Sequence, residues 1–166
     1  YGLSKLLAEQ TLEYYVREKE FNVVLLRYDG IYGKNQTITG FIEYLIKSFS
    51  INSTVELFNF GLQKRDNVYL DDVVNANILA MKRIEIDRFN IYNIGGNEPK
   101  TSAQTAKILQ KVMRSESNII LSKTKNQFLG YDTFMDNSKA VEELGYKPKK
   151  LRQNMGIMVK EMKNYE

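Results

Sequence analysis

Val23–Tyr28 constrains the fold of this chain more than any other stretch. Val23-Val24-Leu25-Leu26-Arg27-Tyr28 reads as one near-continuous apolar run, the signature of a strand buried on both faces of a parallel sheet. Residues 1 to about 20 ahead of it read as a helix, with Leu3, Leu6, Leu7 and Tyr14 at helical spacing and no proline. Asn22 breaks that pattern. A helix leading into a buried strand is half of a βαβ repeat, so the chain belongs to the α/β class.

The remainder keeps the alternation. A loop over Asp29–Thr37 carries Gly30, Gly33, Lys34 and Asn35, and helical spacing returns over Ile38–Phe49. Val55–Phe58 and Asn67–Leu70 read as short strands, and Asp71 or Asp72 as the cap of a helix running to about Ile84. Phe89–Ile94 is a strand closed by Gly95-Gly96. Thr101 or Ser102 caps a helix over Ala103–Met113, and Asn118–Leu121 is a strand. A short helix over Asn137–Leu144 stops at Gly145, and Pro148 separates it from a terminal helix over Leu151–Asn164.

Composition removes several kinds of chemistry. The chain has no cysteine and no histidine, so disulfides, thiolate nucleophiles and the commonest general base and zinc ligand are excluded. Acid–base work falls to Tyr, Lys, Asp or Glu. No apolar run approaches the roughly 20 residues that span a bilayer. No leader pattern opens the chain, so no membrane partner and a cytoplasmic location are expected. The net charge of +4 is scattered except at Lys147, Lys149, Lys150 and Arg152, which read as a solvated face, so a nucleic-acid partner is not expected. Asp71 and Asp72 are more simply a helix start than a metal site, and no metal is expected. The chain opens inside a helical pattern on Tyr1, which suggests a fragment or a processed product.

Tyr1-Gly2-Leu3-Ser4-Lys5 places a phenol and an ammonium at i and i+4, on one face of a helix. A free phenol keeps its proton to about pH 10, and a neighbouring cation favours the phenolate. Such a tyrosine can take a proton from a sugar hydroxyl. Taken alone, the pair is also what chance would leave on a surface in a chain with 11 tyrosines. Its meaning comes from an ordered series of motifs downstream. They are Leu25-Leu26-Arg27-Tyr28-Asp29-Gly30-Ile31-Tyr32-Gly33, Lys64-Arg65-Asp66-Asn67-Val68-Tyr69-Leu70-Asp71-Asp72-Val73, Tyr92-Asn93-Ile94-Gly95-Gly96, and Asp136-Asn137-Ser138-Lys139-Ala140 leading to Leu144-Gly145-Tyr146-Lys147-Pro148. Over nearly its whole length the chain resembles the extended short-chain dehydrogenase/reductase family, the NAD-dependent epimerases and dehydratases.

That resemblance implies the carboxyl-terminal part of a Rossmann-type parallel sheet plus a small α/β substrate-binding lobe. The Rossmann remainder takes about 1–33 and 61–97, the lobe about 34–60 and 98–150, and a terminal helix 151–166. It also implies transient oxidation of a sugar or nucleotide sugar with NAD or NADP. Tyr1 is then the catalytic base and Lys5 its partner, both also touching the cofactor, while Tyr28 sits near the nicotinamide. Asp29, Gly30 and Arg65 fall at substrate-binding positions. A guanidinium grips a diphosphate with paired donors, although Arg65 also reads as a loop arginine paired to Asp66 or Asp71.

Two departures bear on the diphosphate. The family usually carries an asparagine where this chain has Gly30, and that side chain helps hold the substrate diphosphate. Many members have an arginine ahead of the Asp136 motif, whereas Gln127–Thr133 has none and Lys123 and Lys125 lie upstream. The glycine-rich cofactor loop would belong to roughly 150 residues that are not in this sequence, since Gly95-Gly96 lacks its spacing. The chain alone is therefore expected to be inactive, with one sheet edge bare unless another chain covers it, and the parent protein is expected to be a homodimer. The alternative is a non-catalytic nucleotide-sensing or protein-binding module on the same scaffold.

Overall fold

The computed structural model describes residues 1–34, 36, 40–83, 88–124 and 132–163. A 17-residue helix, α1 (Gly2–Glu18), delivers the chain to β1 (Val23–Tyr28). β1 pairs in parallel with β6 (Phe89–Ile94), from Val23 opposite Phe89 to Tyr28 opposite Ile94. Between them lie β2 (Ile31–Tyr32), α2 (Phe41–Ser50), β3 (Val55–Leu57), a single 3-10 turn (Asn59–Gly61), β4 (Lys64–Arg65), β5 (Val68–Tyr69) and α3 (Leu70–Arg83). After β6 come β7 (Lys100–Thr101), α4 (Ser102–Met113), β8 (Ile119–Leu121), α5 (Ser138–Leu144) and α6 (Leu151–Lys163). β2 with β5 and β3 with β8 are also parallel, whereas β4 and β7 run antiparallel.

Two apolar clusters fix the layers. In α2, Ile42, Leu45, Ile46 and Phe49 recur at helical spacing and meet β3, Ala106 and Leu109 of α4, and Leu151, Met155, Met158 and Val159 of α6. Each such side chain taken from water contributes about 1.5–3 kcal/mol. The second cluster joins Val68, Val73, Ala76, Tyr92 and Ile94 to Ala140, Leu144 and Tyr146, with Val24, Leu26 and Tyr28 packed against it. Thus α5 packs with the β1–β6 pair, and α6 packs with α2 and α4.

Several local expectations are corrected. β1 is not buried on both faces: its residues are half-buried and Arg27 is exposed, because the strand has one neighbour, β6, among the described residues. The strand expected over Asn67–Leu70 is only Val68–Tyr69, and Leu70 already opens α3. Asp71 and Asp72 therefore stand within the first turn of α3 rather than at its cap. There they still favour the positive helix end, and Asp72 also accepts from the Lys149 backbone N–H (3.3 Å) and Asn154 Nδ2 (2.7 Å). Thr101 does cap α4, its hydroxyl taking the Gln104 N–H while Gln104 Oε1 takes the Thr101 N–H. Gly145 ends α5 in the left-handed region at φ 69°. The helix start at Ile38, the helix end at Ile84, Lys125, most of Gln127–Thr133 and the terminus at Asn164 lie outside the described residues.

Candidate functional site

Tyr1 and Lys5 occupy one turn at the amino end of α1. The Lys5 ammonium lies 5.3 Å from the centre of the Tyr1 ring, which is 96% exposed. Helix geometry alone achieves this, since i and i+4 share a face.

Tyr28, Asp29 and Gly30 gather at the carboxyl end of β1, the place where parallel sheets receive ligands. The Tyr28 hydroxyl donates to Asn77 Oδ1 of α3 (3.1 Å), and the Asn77 amide is itself pinned by donation to the Val73 carbonyl (2.8 Å). Asp29 Oδ1 accepts from the Gly30 N–H (2.7 Å) and from the Thr133 hydroxyl (3.4 Å). Thr133 also bridges to Arg65 on β4, so Asp29, Gly30 and Arg65 are brought into one neighbourhood. Arg65 Nη1 donates to the Lys64 carbonyl (3.1 Å). Among the described residues, no hydrogen bond joins the Tyr1–Lys5 pair to Tyr28.

Asp66, between Arg65 and Asn67, points the other way into the protein. It is fully buried and accepts the Asn97 and Glu98 N–H groups at 3.1 and 2.9 Å. Burial raises its pKa, against the lowering effect of those two N–H groups. The Gly95-Gly96 turn closes directly on this carboxylate: a methyl group on Gly95 would overlap Asp66 Oδ2, and one on Gly96 the Asn67 carbonyl oxygen. Asn137 locks the turn from the other side, its amide taking the Gly95 N–H and giving to the Gly95 carbonyl, both at 3.0 Å. The glycine pair is filled by the protein itself and leaves no cradle for a diphosphate. Sequence reasoning missed Asp66 and Asn137 because Asp66 reads as an ion-pair partner of Arg65 and Asn137 as the first residue of a helix.

Gly30 leaves a gap that a neighbour enters. A Cβ built on Gly30 would lie 3.3 Å from Asn67 Oδ1. Among the described residues, the half-buried Asn67 amide makes no side-chain hydrogen bond. Farther along, Asn59, Phe60 and Gly61 take left-handed φ values of 50°, 55° and 64° in succession. Holding a non-glycine residue there costs on the order of 1 kcal/mol. The turn is fixed by the Asn59 and Phe60 N–H groups donating to the Thr124 and Ser122 carbonyls.

Among the described residues, no cluster of three or more carboxylates could hold a metal ion, and no helix is long and apolar enough to cross a membrane.

The model of the NAD dependent epimerase/dehydratase family matches residues 1–95. A candidate UDP-glucose 4-epimerase of Methanocaldococcus jannaschii is 30% identical over 168 residues, taking in 99% of this chain and 53% of that protein. The UDP-glucose 4-epimerase of Thermotoga maritima, solved with UDP-glucose, is 29% identical with a TM-score of 0.86 over 99% of this chain and 53% of that one. The UDP-glucuronic acid 4-epimerase of Bacillus cereus, solved with UDP-glucuronic acid and NAD, is 26% identical with a TM-score of 0.81 over 100% of this chain and 53% of that one. The chain spans about half the length of the curated relatives it matches. Its mixed α/β architecture with parallel strands matches the carboxyl-terminal half of these epimerase structures.

Proposed function

Because the chain belongs to the NAD-dependent epimerase/dehydratase family, whose model spans more than half of it, we propose that it is the substrate-handling half of a nucleotide-sugar epimerase, dehydratase or reductase. The observation that carries this reading is the Tyr1–Lys5 pair, phenol and ammonium on one exposed helix face. In the proposed reaction Tyr1 Oη takes the proton of a sugar hydroxyl, and Lys5 favours the phenolate that does so. NAD or NADP, when bound, supplies reversible hydride acceptance. Lys5 and Tyr28 are the residues of this chain that would lie against its ribose and nicotinamide. The closed Gly95-Gly96 turn supports assigning the cofactor diphosphate to a preceding glycine-rich half, so this chain alone would not turn over. Asp29, Gly30 and Arg65 line the substrate side.

In the same proposal, residues about 1–33 and 61–97 continue the Rossmann sheet, 34–60 and 98–150 form the lobe, and 151–166 hold the terminal helix. The enzyme acts in the cytoplasm as a homodimer. Substituting Tyr1→Phe in the full-length protein should lower turnover by about 100-fold or more while NAD binding persists. Steady-state kinetics with UDP-glucose and calorimetry with NAD measure the two, and unchanged turnover would remove Tyr1 as the base. The second reading, a non-catalytic sensor, rests on Gly30. It predicts cofactor binding with no reduced-cofactor signal for any sugar nucleotide.

A further inference from the structure

We propose that the carboxyl ends of α2 and α4, with the last turns of α6, form a second ligand site. It takes an amphipathic carboxylate, the apolar body in the cleft and the anionic head on Arg114. The site stands apart from the nucleotide-sugar reading, since none of Tyr1, Lys5, Tyr28, Asp29, Gly30 or Arg65 lines it.

Three observations carry it. First, the three helices leave a cavity of about 470 Å³ where the larger apolar cluster opens to solvent. The buried side chains of Ile46, Phe49 and Val159 line it, together with Met113 and the exposed Met162. Space of that size against apolar walls is what small molecules fill, and unbranched methionines adapt to the shape of what enters. Second, the polar groups left over at its edge are donors. The Ser50 hydroxyl donates to the Ile46 carbonyl (2.9 Å), and Asn52 Oδ1 accepts from the Ser115 hydroxyl (2.9 Å) and the Glu116 N–H (3.1 Å). Among the described residues, the Asn52 amide nitrogen and the Arg114 guanidinium have no partner, and no carboxylate lines the cavity. Third, Arg114 holds its place under strain. It ends α4 in the left-handed region at φ 57°. Asn52, just past α2, is left-handed too at φ 50°, but asparagine tolerates that conformation and glycine more so. An arginine kept where glycine would relieve strain points to a use for its guanidinium. The carbonyl ends of α2 and α4 carry partial negative charge, so an anion belongs on the guanidinium at the mouth and not deeper in the cleft. There a guanidinium grips carboxylate oxygens with paired donors.

The test uses octanoate and 1-octanol as probes in calorimetry with the full-length protein, the two differing in the charged head. Octanoate should bind one per chain and more tightly than octanol. Arg114→Gly should weaken octanoate by about 10- to 100-fold, the effect of losing a hydrogen bond to a charged group. It should leave octanol affinity unchanged and should not lower the melting temperature, because glycine suits the left-handed backbone. Met162→Trp, at an exposed edge of the cleft, should abolish binding of both probes while NAD affinity is kept. Equal affinities for the two probes, an octanoate affinity unmoved by Arg114→Gly, or no saturable binding of octanoate overturns the proposal. If octanoate fails to bind and Met162→Trp dissociates an assembly seen by light scattering, a second copy covers the cleft and the proposal falls.

Discussion

At the scale of single residues, the Gly95-Gly96 turn is where chemistry is least forgiving. Gly96→Ala would drive a methyl into the Asn67 carbonyl oxygen, and overpacking of this kind costs about 1–3 kcal/mol. Asn137→Ala would strip the partner from a buried Gly95 N–H, while the Gly95 carbonyl would keep the Tyr146 hydroxyl at 3.0 Å. We expect a loss of about 1–3 kcal/mol from that one orphaned donor. Urea midpoints at constant slope measure both. None of this is legible in the sequence. Asn137 reads as the first residue of a helix, yet its amide is spent on a turn 42 residues away. Phe60 gives no sign that its backbone is left-handed, because the turn is held by carbonyls of Ser122 and Thr124, distant in sequence. The Tyr1–Lys5 pair is legible, since i,i+4 geometry follows from helicity alone.

Secondary-structure elements divide by length. The six-residue strands β1 and β6 are readable to the residue, because six residues rich in Val, Leu, Ile, Phe and Tyr carry a signal. The two-residue ladders β2, β4 and β7 are not, since two residues hold no period. One contact between elements sets a pH dependence. Arg27 of β1 grips Glu9 of α1 with Nε at 2.8 Å and with Nη2, and this hydrogen bonding holds the Glu9 carboxyl below the usual glutamate range. A lowered folded value means stability present above the ordinary glutamate pKa and lost as pH falls through the folded one. Docking of α1 should therefore loosen below about pH 4. Glu9→Gln should abolish that step, at a cost of at most about 1 kcal/mol at neutral pH because Arg27 is partly exposed. Amide exchange along α1 across pH 3–6 reads the effect. Asp66 and Asp72, raised chiefly by burial, act in the opposite sense: their contribution is fullest in acid and fades as pH rises through their folded values.

For the molecule as a whole, the apolar residues of α1 are the main surprise. Leu3, Leu6, Leu7 and Tyr14 make the helix legible, yet all are exposed and only Val16 is buried. Val74, Ile78 and Met81 of α3 are exposed as well. Scattered apolar side chains are ordinary on a surface, but helix faces this rich in them mark association. Light scattering of this chain should show self-association, and Leu7→Glu with Met81→Glu should reduce it. A monodisperse monomer at high concentration would count against the dimer. The parallel ladders have a different consequence, in time rather than in space. β1 pairs with a strand roughly 65 residues later, and so does β3, so each ladder must close a long loop before it gains a contact. On a ribosome, β1 would emerge before β6, and the edge that β6 pairs with would stay open until β6 followed. The interval before Phe89–Ile94 is made is when this sequence is most open to aggregation or to a chaperone.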